Sequence, residues 1–194
     1  QANVDRVEAD VLGKFEGLLP PLRGARGALV SSEYLSRSEF RKFMQSRDID
    51  QEFPGVRGLG IIDRIPRTGL NAFVAAQRKD GAPDFTVKTS GTASDLFIIK
   101  YVEPVERNRQ AVGLDVGAEP VRRAAAERAV RQGKPALTGR ITLVQDDQKR
   151  AGFLYFLPYY GSVRVPETEA ERIRQLRGWT YAPIVLAELM VGTQ

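Results

Sequence analysis

The chain has 194 residues, a hydrophobic fraction of 42% and a formal net charge of +5, enough for one sizeable core or a core with a smaller appendage. It contains neither Cys nor His. Disulfides, Ser-His-Asp and Cys-His nucleophiles, zinc fingers and two-His iron sites are thereby excluded. No apolar run approaches the roughly 18 residues of a membrane span and no start resembles a signal peptide. We therefore expect a soluble piece of a longer protein whose targeting and membrane segments lie outside it. Acidic and basic residues are interleaved, as in EPVRRAAAERAVRQGK, the pattern of solvated helix faces and not of a nucleic-acid surface.

The first element is helical. Val4, Val7, Val11, Phe15, Leu18, Leu22, Ala25 and Leu29 recur at steps of three and four and draw one long apolar stripe. Pro20 and Pro21 kink or break it. The stripe reads equally as a stalk that pairs in a homodimer and as a helix packed on its own domain. Ser36 and Glu39 have capping-box spacing and start a short helix with Phe40, Phe43 and Met44 on its apolar face. The polar run RDIDQEFPG closes it near residue 50.

GVRGLGIIDRIPR reads as a strand between Pro54 and Pro66, and LNAFVAAQRK as a helix capped by Thr68 and ended at Gly81. DFTVKT reads as a short strand. LFIIKYVEPV, apolar on both faces and stopped by Pro104, reads as a central strand. A helix begins near Glu119 and stops at Gly133. RITLVQ and GFLYFLPYY pair around the turn DDQKR; a linker, a charged helix (AERIRQLR) and GWTYAPIVLAELM end the chain. The order is that of an α+β fold: an antiparallel sheet with helices packed on one face, the other left free to form a pocket.

Motifs that carry chemistry fail on inspection. Gly58 and Gly60 lack the third glycine of a dinucleotide loop, and Gly133-Lys134 is followed by Pro135 where a phosphate loop needs Ser or Thr. Asp48, Asp50 and Glu52 are followed by Phe53 where a calcium loop turns on Gly. Glu103 and Glu106 bracket a proline, and Asp146 and Asp147 sit in a hairpin turn that favours Asp for backbone reasons. We assign no catalytic residue, no metal site and no cofactor.

FPGVRGLGIIDRIPR, then YVEPVERNRQAVGLDVGAEPVRRAAAERAVRQGKPALTGRITLVQ, then GFLYFLPYYG closely resemble the CHASE domain, an extracellular sensory module of histidine kinases and cyclases. The resemblance is carried by Pro104, Asn108, Gly113, Asp115, Pro120, Arg122, Gly133 and Thr138 at the family's spacing. It implies a long N-terminal stalk helix (residues 1–48), a membrane-distal PAS-like ligand-binding unit (49–164) and the return segment of a membrane-proximal PAS-like unit (165–194). It also implies a dimer through the N-terminal helix, a periplasmic location in a membrane-anchored protein, and kinase or diguanylate cyclase output elsewhere in that protein. In the family's cytokinin receptors an Asp on the central strand holds adenine; Ile99 stands there in this chain, so an adenine ligand is not expected. Leu114 matches a position whose backbone contacts ligand in those receptors, and Asn108 and Asp115 read as loop-fixing side chains, the favoured reading, or as ligand contacts.

The expected pocket lies between one sheet face, carrying Phe97, Ile99, Tyr101, Ile141, Leu143, Phe153, Tyr155 and Leu157, and the loop at Leu114, and takes a small molecule. The same residues serve equally as closed core. An alternative is a protein-interaction or lipid-headgroup module, which needs a filled core and an exposed basic or apolar patch.

Overall fold

The computed structural model describes residues 2–191, with side chains from residue 10 onward; the side chains of Val4 and Val7, residue 1 and the last three residues of the chain lie outside that description. The N-terminal stripe forms two helices, α1 (Ala2–Gly17) and α2 (Leu19–Ser31), broken at Leu18 with proline in the first turn of α2. A proline there gives up an N–H that a helix start leaves unpaired anyway, so the break falls where Pro20 and Pro21 put it. Helix α3 (Arg37–Gln45) starts at the Ser36–Glu39 capping box, with both reciprocal bonds formed, and a single turn, α4 (Ile49–Glu52), follows it.

One six-stranded antiparallel sheet follows, from β1 (Leu59–Pro66), β2 (Asp95–Glu103), β3 (Ala136–Leu137), β4 (Ile141–Thr142), β5 (Ala151–Tyr160) and β6 (Leu176–Val185). The order is β2-β1-β6-β5-β3, with β4 also on β5. The final strand, β6, is thus central, paired with β1 on one side and β5 on the other. The expected hairpin around DDQKR forms, with Ile141 opposite Gly152.

Helices cover both faces, which corrects the expectation of one covered face. On one side, α6 (Pro120–Gln132) buries Ala125, Ala126, Ala129 and Val130 against Ile62, Phe97, Phe156 and Trp179. Short alanine side chains let the helix lie close, and the Trp179 indole N–H donates to the Ala126 carbonyl at 3.0 Å. On the other side Leu18, Leu22 and Ala25 of the N-terminal region and Phe40 and Met44 of α3 pack on Leu59, Ile61, Tyr101, Leu157 and Ile184. The Thr180 hydroxyl donates to the Leu22 carbonyl at 3.1 Å. Burying Leu18 and Leu22 contributes roughly 1.5–3 kcal/mol each, so the apolar face of α2 is taken up within its own domain. Helix α5 (Leu70–Lys79) covers Leu96 and Ile98 through Phe73 and Val74.

Three local expectations change. Thr68 does not cap α5: it lies in a short 3-10 turn, and the cap residue is Gly69. DFTVKT makes only an isolated bridge, Lys88 to Leu114, and no strand. Strand β2 is not central but stands at the end of the sheet; its burial has another cause, described next.

Candidate ligand-binding site

The outer edge of β2 is closed by the chain's own loop. The Gly113 N–H donates to the Ile99 carbonyl, and the Ile99 N–H to the Leu114 carbonyl, both at 2.9 Å. Asp115 supplies the next partner: its Oδ1 accepts from the N–H of Phe97 at 2.8 Å and of Gly117 at 3.0 Å, and its Oδ2 from the Thr89 hydroxyl at 2.8 Å. Segment 113–115 thus supplies the partners an edge strand lacks. Gly113 is required there, because its φ is +80° and a Cβ would strike the Thr86 carbonyl. Asn108, fully buried, holds the start of the loop. Its amide donates to the Arg57 and Pro104 carbonyls at 2.9 and 2.8 Å, and its Oδ1 accepts from Gln145 at 3.0 Å.

Behind this loop lies a cavity of ≈ 10 Å³. Among its lining residues are Ile99, Leu114 and Leu143, three of the expected site residues, together with Arg122, Gln145 and Tyr181. Phe97 and Ile141 pack in the same core beside it. Two polar atoms here have no hydrogen-bond partner although both are buried: the Tyr181 hydroxyl and the Arg122 Nε. Tyr181 is fully buried, which pushes its hydroxyl well above the ordinary tyrosine value while the nearby Arg122 charge pulls it back. Burial likewise lowers the Arg122 pKa, opposed by Glu119.

The nine expected residues do not form one lining. Along β1, Ile61 pairs with Tyr101 but Ile62 pairs with Ile99, so Lys100 is an extra residue, a bulge. One inserted residue reverses the alternation of side chains. Phe97 and Ile99 therefore face α6 while Tyr101 faces α3, against the expectation that all three share a face. Tyr101 stacks on Phe40 with ring centroids 5.6 Å apart. Its hydroxyl donates to Asp80 at 2.6 Å and lies 2.9 Å from the Leu35 carbonyl. Burial, then the bond to Asp80, pushes its pKa far above the ordinary tyrosine value. Tyr155 and Leu157 belong to that second core. Phe153, which alternates with them and pairs with Ile184, is half-buried at its margin.

Sequence reasoning left Arg122 among the family-spaced residues and passed over Tyr181. The alternation Trp179-Thr180-Tyr181 inside an apolar run was the available signal: a tyrosine turned inward brings a hydroxyl that needs a partner. Asp146, read from the sequence as a turn residue favoured for backbone reasons alone, is buried in the structure. It is 5% exposed and accepts from the Arg150 amide and guanidinium, each at 2.8 Å, with Arg57 at 3.4 Å. Glu188 joins both arginines, at 3.1 Å from Arg57 and 2.8 Å from Arg150. The Arg150 bond holds Asp146 below the usual carboxylate range.

No curated protein matches the chain at a significant level. Among solved structures, one described as an extracellular ligand binding receptor from Desulfohalobium retbaense DSM5692 superposes with a TM-score of 0.54 at 10% identity. The match covers 96% of this chain but 25% of that protein, so the chain spans about a quarter of its length and shares its fold. No described helix is long and apolar enough to cross a membrane. The CHASE domain family model matches residues 33–194, so the chain belongs to the CHASE domain family of extracellular sensory domains.

Proposed function

We propose that this chain is the ligand-sensing, extracytoplasmic domain of a transmembrane signalling protein of the sensor histidine kinase or diguanylate cyclase type. It binds a small molecule in the cavity behind the 113–115 loop. The observation that carries this reading is the convergence of Ile99, Leu114 and Leu143 with Arg122 and the unpartnered Tyr181 hydroxyl on one cavity. Apolar walls with a few aimed polar groups are what small-ligand sites share. The strand order β2-β1-β6-β5-β3 supports a PAS-like description of the sheet. Signalling runs through the N-terminal helices of a homodimer in a membrane-anchored, periplasmic domain: α2 rests directly on β5 and β6, so a change in the sheet reaches it. A ligand acts by binding one arrangement better than another. A metabolite screen by thermal shift tests this. The reading expects hits whose effect disappears in Leu114→Phe, which fills the cavity; hits that persist in that variant contradict it.

The rival reading, a lipid-headgroup or protein-interaction surface without a pocket, draws on the packing. The cavity has the volume of about one water, while Arg37, Arg41, Lys88 and Arg109 line an open groove of ≈ 420 Å³. It predicts co-flotation with anionic vesicles that is lost when Arg41 and Arg109 become Gln; the sensing reading predicts no such binding.

A further inference from the structure

The polar end of the cavity has a chemistry of its own. The Arg122 Nη2 donates to the Thr142 carbonyl at 2.9 Å, while the neighbouring Nε has no partner. Nε and Nη2 form the side of the guanidinium that receives the two oxygens of a carboxylate in parallel. Here Nη2 is engaged by a carbonyl, and Nε has no partner in the protein. The second unpartnered group, the Tyr181 hydroxyl, is on a fully buried side chain that lines the same cavity. Buried donors without acceptors are rare in folded proteins and call for an explanation. Glu119, the acid next to Arg122 in sequence terms, does not supply one: its two oxygens accept from the Val121 and Arg122 amides, each at 2.9 Å.

Resting on the reading of this cavity as the ligand site, we infer that its ligand is a small carboxylate, with its oxygens on Arg122 and the Tyr181 hydroxyl and its apolar tail against Ile99, Leu114 and Leu143. The Arg122 Nε is a cationic donor and the Tyr181 hydroxyl donates as well as accepts, so the ligand that suits both offers acceptor oxygens and negative charge. An amide supplies one acceptor oxygen and no charge to the guanidinium. The volume of about one water means that the segment 143–145 moves to admit the ligand. That segment follows β4, which is only two residues long and is tied to α6 by the Arg122–Thr142 bond. A carboxylate taking both Nε and Nη2 competes with the Thr142 carbonyl for Arg122, which couples ligand entry to release of the segment.

Titration calorimetry of the 194-residue chain with acetate, propionate, butyrate and benzoate, and with their amides, tests the assignment. At least one carboxylate binds, its amide binds at least about tenfold more weakly, and Tyr181→Phe weakens the acid by about tenfold while melting no lower than the parent. Arg122→Gln removes measurable binding, and its circular dichroism and melting curve establish that it is folded. Equal binding of acid and amide, unchanged affinity in folded Arg122→Gln, or no binding of any of the four acids overturns the carboxylate assignment. If a neutral compound binds instead and Leu114→Phe abolishes it, the sensing cavity stands and only the ligand class falls; binding that ignores Leu114→Phe sinks both.

Discussion

The hydroxyl of Tyr181 is buried without a partner in the protein, and its removal has a definite expected result. Tyr181→Phe keeps the ring against its neighbours and deletes a buried donor without a partner, so the ligand-free protein gains up to about 1 kcal/mol in urea unfolding. A loss of more than about 1 kcal/mol would mean that the hydroxyl has a partner after all. Asp146 gives the opposite case. Asp146→Asn leaves Arg57 and Arg150 facing a neutral side chain and costs about 2 kcal/mol at neutral pH. The pH dependence follows from its lowered pKa: the unfolded chain takes up this proton more readily than the folded one. Its stabilisation is therefore complete above the ordinary aspartate value of about 4 and is lost as the pH falls below it. Melting curves between about pH 3 and 7 should show a steeper acid decline for the parent than for Asp146→Asn; parallel curves would remove Asp146 from the acid response.

The elements divide by how local their causes are. The Ser36–Glu39 capping box, the stop at Gly133 and the proline-led start of α2 could be read directly because each is fixed within four residues. The apolar character of β2 was read correctly and its place wrongly: LFIIKYVEPV has the composition of a central strand because segment 113–115, beyond Pro104, seals its edge. The side of the sheet that Tyr101 faces was lost to one inserted residue. Lys100 sits between the Tyr34 and Tyr101 rings, 5.0 and 4.8 Å from their centroids, and 3.5 Å from Asp63. Those partners come from separate elements, so no local pattern announces the bulge; Phe153, Tyr155 and Leu157 lie on the Tyr101 side through the pairing of β5 with β6, which takes four of the nine expected residues out of the lining. The edge-sealing segment has its own test. Gly113→Ala meets both a positive φ and the Thr86 carbonyl and should cost about 2–3 kcal/mol, with faster amide exchange at Phe97 and Ile99. Exchange that stays slow there would show that the loop does not protect the edge.

At the scale of the molecule, a sheet covered on both faces joins the cavity to the N-terminal helices. Leu22 and Thr180 link α2 to β6, and Tyr181, the next residue, faces the cavity on the far side. Deleting residues 1–31 therefore exposes Leu59, Ile61, Leu157 and Ile184 and should prevent folding. Deleting residues 1–14 should leave a cooperative melt, since Phe15, in edge contact with Tyr155 at 5.9 Å, is retained. A stable product of the longer deletion would show that α2 is a detachable stalk. The central claim, that the cavity behind the 113–115 loop receives the ligand, is tested most directly by methyl NMR of the protein with a bound carboxylate or any hit from the thermal screen. The account predicts shifts concentrated at Ile99, Leu114 and Leu143, with smaller changes carried to Leu22; shifts confined to methyls near the Arg37–Arg41 groove, or to none of these, would contradict it.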